Sequence, residues 1–233
     1  MRVARLLALA AIAVTALGAC GGGSSGASDN TSWAPAPTTA DGLTRLAYTD
    51  GERFLLPTGG GERTFIPGVN VGVTVPGTSP GELATSAADY RRWFAQIAGL
   101  GLRAIRVYTI LPPHFYTELT RYNRAHADAP LYLIQGVWIP EERFLAARDL
   151  YADGVRTGFK DELTDASDAV HGRLERTRRR GTAWGVWTAD VSPWLLAYSI
   201  GVEWDPAATA ASEKKNGGRE PFSGRYFAAA EAA

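Results

Sequence analysis

Leu195-Leu196-Ala197-Tyr198-Ser199-Ile200-Gly201-Val202-Glu203-Trp204 is the stretch on which the fold reading turns, and Asp205-Pro206 breaks it. Read with period two, Leu196, Tyr198, Ile200 and Val202 make a bulky face. Ala197, Ser199 and Gly201 make a small one, ending in the carboxylate of Glu203. Such a strand suits a parallel barrel. Its bulky side packs under helices, its small side fits the crowded interior, and its C-terminal tip lies where barrels place their chemistry. A solvated glutamate at a strand end is the competing reading.

Upstream, the same grammar repeats. Thr64 to Gly72 alternates Val69 and Val71 against Gly68, Asn70 and Gly72, and reads as the first barrel strand. Ser86 reads as an N-cap with Asp89 at the third helical position, opening a helix with Tyr90, Trp93, Phe94, Ile97 and Leu100 at helical spacing. Ala104 to Ile110 is a second strand, and Pro112-Pro113 starts a second helix with Phe115, Tyr116, Leu119 and Tyr122. Leu131 to Trp138 is nearly all apolar, as a strand buried on both faces should be. A third helix is expected over about Phe159 to Val170, with Gly172 as its stop.

Strand and helix in alternation call for an α/β fold with a parallel sheet and right-handed crossovers. Four such units make a partial (β/α)8 TIM barrel, placed at residues 65–208. A short β-ribbon at 43–64 precedes it, turning at Thr49-Asp50-Gly51. From Phe65 onward about 170 residues remain, against about 250 for a complete barrel. No fifth strand is legible in the polar tail at 209–233, so the chain is read as a fragment, by premature stop or frameshift.

The N-terminus carries a separate message. Arg2 and Arg5 precede an apolar run, Leu6 to Leu17, too short to span a membrane comfortably. Leu17-Gly18-Ala19-Cys20 then resembles the lipobox of bacterial lipoproteins, in which the leader is cut before the Cys and the Cys is lipidated. Residues 1–19 are the expected signal peptide. Cys20 is the only cysteine, so no disulfide or thiolate metal site competes for it. Residues 20–42, rich in Gly, Ser, Ala, Thr and Pro, read as a flexible tether between lipid and domain. The expected location is the exported face of the cell envelope.

Lys and Arg together number 24, as do Asp and Glu, which gives nucleic acid no claim on the chain. Candidate chemistry lies instead at the strand ends. Arg106, between Ile105 and Val107, points into the barrel together with Tyr108. A buried guanidinium needs a carboxylate, for which Glu203 is the candidate; a structural ion pair and a solvent-facing Arg are the alternatives. Trp138 and Trp204 follow strands and, with Tyr108, offer faces on which sugars stack, or pack at the barrel rim. Asn70 bonds a substrate hydroxyl or braces the arginine. His114, His126 and His171 show no metal-ligand spacing, and no cofactor is implied. Arg176 to Arg180 reads as a solvated loop, with anionic lipid headgroups as a second reading.

Gly68-Val69-Asn70-Val71-Gly72, Tyr90-Arg91-Arg92-Trp93-Phe94, Ile105-Arg106-Val107-Tyr108-Thr109, Leu133 to Trp138 and Gly201-Val202-Glu203-Trp204 appear in that order. Together they resemble the retaining (β/α)8-barrel glycoside hydrolases, among them cellulases, β-glycosidases and glucanosyltransferases. The resemblance covers about Phe65 to Pro206. It implies an oligo- or polysaccharide partner, Glu203 as general acid/base, and Arg106 as the group that keeps a nucleophile ionised. Two departures stand out. Val202 occupies a position where the group usually has Asn, and the strand-seven nucleophile is not in the chain. A retaining glycosidase needs two carboxyl groups about 5 Å apart. The expectation is therefore a membrane-anchored glycoside hydrolase-like protein, inactive as a fragment. A non-catalytic glycan-binding surface lipoprotein is the alternative, and a solute-binding lipoprotein ranks last because it needs two lobes.

Overall fold

The computed structural model describes residues 31–79, 81–179 and 181–216. Two small antiparallel ribbons come first. Strands β1 (Thr38–Ala40) and β2 (Leu43–Arg45) turn at Asp41 and Gly42, both at positive φ. Strands β3 (Tyr48–Asp50), β4 (Arg53–Thr58) and β5 (Gly61–Arg63) form a three-stranded sheet whose first hairpin turns at Gly51, as expected. The structure corrects the length of the tether. From Trp33 onward the chain is bonded to the domain, and Thr38–Ala40 is a strand rather than a linker.

The main body follows in strict alternation: β6 (Gly68–Asn70), α1 (Ala87–Gly99), β7 (Ala104–Val107), α2 (Pro113–Ala125) and β8 (Tyr132–Val137). Helices α3 (Glu141–Ala147) and α4 (Asp153–Val170) come next, then a hairpin of β9 (Glu175–Arg176) and β10 (Gly185–Val186). Strand β11 (Leu195–Ile200) and helix α5 (Pro206–Lys215) complete it. Strands β6, β7, β8 and β11 lie side by side in that order, all parallel, in one four-stranded sheet.

One face of this sheet is buried under helices. Ile105, Val107, Leu133 and Val137 pack there against Tyr90 and Phe94 of α1, Phe115 and Leu119 of α2, and Ala166, Ala169 and Val170 of α4. Burial on this scale, at roughly 25 cal/mol per Å² of apolar surface, is what holds strands to helices. The opposite face is closed only at its N-terminal end. There Ala104, Tyr132 and Leu196 meet Leu56 of β4, so the ribbon plugs the base of the sheet.

Helix α1 starts as its sequence requires. The Ser86 hydroxyl accepts from the Asp89 N–H at 3.2 Å, and the Asp89 carboxylate accepts from the Ser86 N–H at 3.0 Å. The Ser86 hydroxyl also donates to the Asp89 carboxylate at 2.6 Å. This bond first, then those from the Ser86 N–H and from Arg92, hold the Asp89 carboxyl down at about 2, so its contribution to stability is complete above the ordinary carboxylate range and is lost as pH falls through that value. Ser86→Ala is expected to cost about 1 kcal/mol of folding stability in urea denaturation.

Several expectations need correction. The strand that was to end at Glu203 stops at Ile200. Its register slips between Leu195 and Ala197, a bulge that turns Leu196 from the helix side to the inner cluster; Tyr198 stays on the helix side. The third helix begins at Asp153, not Phe159, because Val155 and Phe159 pack with α3, an element with no expected counterpart. The tail at 209–233 is helical as far as Lys215, capped by the Asp205 carboxylate, which accepts from the Ala208 N–H at 2.6 Å.

Candidate functional site

A cleft of about 640 Å³ opens at the C-terminal ends of the parallel strands. Each strand-to-helix connection contributes to it: Val73 after β6, Tyr108 and Ile110 after β7, Trp138 and Ile139 after β8, Glu203 after β11. Helix α4 adds Asp161, Glu162 and Asp165, and the β9–β10 hairpin adds Arg176, Arg179 and Thr182. The hairpin is pinned across this end by Trp187, whose indole N–H donates to the Leu111 carbonyl at 3.0 Å.

Glu203 reaches the cleft through a turn rather than a strand tip. The β8–β11 ladder runs one residue past β11, the Gly201 N–H donating to the Val137 carbonyl at 3.1 Å. Gly201 then takes φ 71°, and Glu203 takes φ 56°, a left-handed conformation that costs a non-glycine residue about 1 kcal/mol. A Cβ on Gly201 would stand 2.3 Å from the Trp204 ring. Trp204 itself packs edge-on against Phe144 and Phe159, with ring centroids 5.7 and 5.8 Å away. The tryptophan is thus drawn under α3 and α4, and the glutamate beside it is delivered to the cleft. Glu203 is exposed and makes no hydrogen bond or ion pair among the described residues.

Arg106 does not meet Glu203, as the sequence had suggested. Its guanidinium lies 4.4 Å from the centroid of the Tyr108 ring, a cation–π contact, and the Tyr108 hydroxyl accepts from the Asn70 side-chain amide at 3.2 Å. Asn70, Arg106 and Tyr108 therefore form one polar strip on the open face of β6 and β7, and of the three only Tyr108 lines the cleft. Trp138 is half-buried in the cleft wall. Trp204 does not line it. Cys20 lies outside the described residues.

The largest surprise is Arg176. Expected in a solvated basic loop, it is buried, with only 8% of its side chain exposed, and it bonds Glu162 at 2.8 Å and Asp165 at 2.5 Å. Burial pushes the Glu162 carboxyl up, against the opposing pull of the Arg176 charge. Two carboxylates three residues apart on α4, facing a single arginine, form the charged wall of the cleft. The signal was present in Asp161-Glu162 and Asp165, acids on one face of a helix. Arg178 and Arg179 are exposed, with Arg178 5.6 Å from the Trp184 ring.

The histidines play supporting parts. A ring nitrogen of His114 sits 2.8 Å from the Thr85 carbonyl, tying α2 to the loop before α1. Among the described residues no group of three or more His, Cys, Asp or Glu is placed to hold a metal ion. Nor is any described helix long and apolar enough to cross a membrane. Comparison of the chain with family models, with curated proteins and with solved structures gives no match.

Proposed function

We propose that the chain is a glycoside hydrolase-like protein that takes a β-linked glycan in the cleft above its parallel sheet, with Glu203 as the proton donor. The observation that carries this reading is the convergence of Trp138, Tyr108 and Glu203 on one cavity at the C-terminal strand ends. Four parallel strands in chain order, each followed by a helix, support the first half of a (β/α)8 barrel as the scaffold.

The chemistry follows from the geometry. The half-buried Trp138 offers an aromatic face to the C–H surface of a pyranose, and Tyr108 a second one with a hydroxyl at its tip. Glu203, held in a strained turn and making no hydrogen bond or ion pair among the described residues, is positioned to meet a glycosidic oxygen. Retaining hydrolysis also needs a nucleophilic carboxylate about 5 Å from the donor. The other carboxylates of the cleft sit on α4: Glu162 and Asp165 are committed to Arg176, and Asp161 stands on a helix rather than at a strand end, where the resemblance places the nucleophile. The described residues therefore suit glycan binding with one acid in place, and turnover by this chain alone is expected at background. The protein is further read as held at the exported face of a membrane by lipid on Cys20.

The test is titration of the purified chain with β-linked gluco-, xylo- and manno-oligosaccharides by calorimetry. Trp138→Ala is expected to weaken binding about tenfold, the worth of one good aromatic contact. Glu203→Gln keeps binding. Absence of binding to every member of the panel, or binding indifferent to Trp138→Ala, overturns the assignment. Nitrophenol release from aryl β-glycosides, abolished by Glu203→Gln, would instead reveal a complete catalytic pair.

A further inference from the structure

The described chain begins at the end of the sheet opposite the cleft. The Trp33 N–H donates to the Asp128 carbonyl at 2.7 Å, and the Tyr132 hydroxyl donates to the Trp33 carbonyl at 2.5 Å. The guanidinium carbons of Arg63 and Arg103 lie 4.8 and 6.0 Å from the centroid of the Trp33 ring. Asp128 and Arg103 each stand just before a parallel strand, and Tyr132 opens one. The N-terminal segment therefore joins the domain at the base of the sheet.

That same end exposes large apolar side chains. Phe65, just before β6, is 78% exposed; Leu100, between α1 and β7, is 77% exposed; Leu43, in the first ribbon, is 68% exposed. Phe65 and Leu100 flank one junction, because the N–H groups of Arg103 and Ala104 both donate to the Pro67 carbonyl, at 2.8 and 3.0 Å. The cleft end exposes apolar side chains too, Trp184 at 50%, Val186 at 56% and Ile200 at 58%, but the most exposed are Phe65, Leu100 and Leu43, on the side where the chain enters, and they mark a surface that something covers.

The occupant is indicated by the chain outside the structure. Ten residues separate Cys20 from Thr31. Fully extended, that link reaches about 40 Å, roughly the width of a domain of this size. To bring the cleft down to a bilayer, the link would have to run the full height of the domain, at the entropic cost of straightening it. Contact through the base needs no such extension.

We propose that the base of the sheet, around Phe65, Leu100 and Leu43, is a membrane-contacting surface on which the tethered domain rests, presenting the cleft away from the bilayer. The proposal rests on reading Cys20 as the lipidated residue. The apolar side chains enter the headgroup region, and the orientation turns the glycan cleft toward the surroundings.

The chain beginning at Cys20 carries one thiol, so it can be coupled there to a maleimide-headgroup lipid in phosphatidylcholine–phosphatidylglycerol vesicles. A fluorescent amino acid replaces Phe65, Leu100 or, at the cleft end, Trp184, in separate preparations, with doxyl-labelled lipid as quencher. The expected result is loss of emission at 65 and 100 and none at 184. Quenching at 184 instead, or at no position, overturns the proposal. Burial of the 65 probe in a dimer without vesicles also overturns it, by showing a second copy on the face. With the probe at Leu43, the pair Phe65→Ser and Leu100→Ser is expected to restore emission; both side chains are exposed, and an unchanged thermal melt verifies the fold. Retained quenching there refutes the apolar contact. Fatty-acid labelling of the full chain in bacteria, with Cys20→Ser as control, tests the anchor separately, so loss of that reading is distinguishable from failure of the surface.

Discussion

Gly136→Ala is expected to destabilise the fold severely. Gly136 lies in β8 where the neighbouring strand turns out toward the cleft, and an added Cβ would stand 2.3 Å from the Val107 carbonyl oxygen and 2.4 Å from the Tyr108 carbonyl carbon. Both obstacles are backbone, so no side chain can swing aside. The residue is fully enclosed, with Gln135 beside it bonded through its amide to the Thr109 and Gly136 carbonyls and through its oxygen to the Tyr116 hydroxyl. Relief requires pushing β7 from β8 and breaking that network, at a cost of about 3 kcal/mol or more. Urea denaturation followed by circular dichroism measures it. Gly72→Ala is the comparison, since a Cβ there meets nothing within 4 Å. A wild-type midpoint for Gly136→Ala would show that the two strands are not packed as described.

Arg176→Met is the second large effect. Removing the guanidinium while keeping the bulk of the chain leaves Glu162 and Asp165, 21% and 35% exposed, facing each other without a cation. Breaking a buried pair from one side costs about 3–5 kcal/mol, and the partial exposure of Asp165 places the expectation at about 3 kcal/mol. Arg176→Lys recovers only part, because an ammonium lacks the planar fork that serves two carboxylates at once. The pH dependence gives the loss its signature. Desolvation, the larger cause, already raises the Glu162 carboxyl above its ordinary value with Arg176 present. A group so raised contributes stability that is complete below its unfolded-state value and is lost as pH rises through the folded one. Without Arg176 the folded value climbs further, so the deficit of the variant should shrink as pH is lowered from about 7 to about 5. A deficit independent of pH would show that packing, not charge, accounts for the effect.

Local patterning made much of this architecture readable. The capping box at Ser86 and Asp89, the Pro112-Pro113 helix start, the Gly51 turn and the four parallel strands all announce themselves through short-range chemistry. What escaped was tertiary in origin. The bulge at Leu196 seats that side chain against Leu56, from a ribbon about 140 residues earlier, at the base of the sheet, a contact no local pattern announces. The Arg176 network escaped because a run of arginines looks solvated until a helix supplies two acids across the gap. In the cleft, Trp138, Tyr108 and Glu203 were each legible from strand-end position, while the direction of Trp204 depended on Phe159 of the expected third helix and on Phe144 of α3, a helix with no expected counterpart.

Strand succession in the sheet has a bearing on how the molecule is made. Each parallel pairing joins a strand to the next strand of this sheet along the polypeptide: β6 to β7, β7 to β8, β8 to β11. Among the described residues no strand of this sheet pairs out of chain order, which limits the entropy spent on closing loops. A chain that emerges N-terminus first can add one unit at a time to a growing nucleus, without first gathering residues far along the sequence.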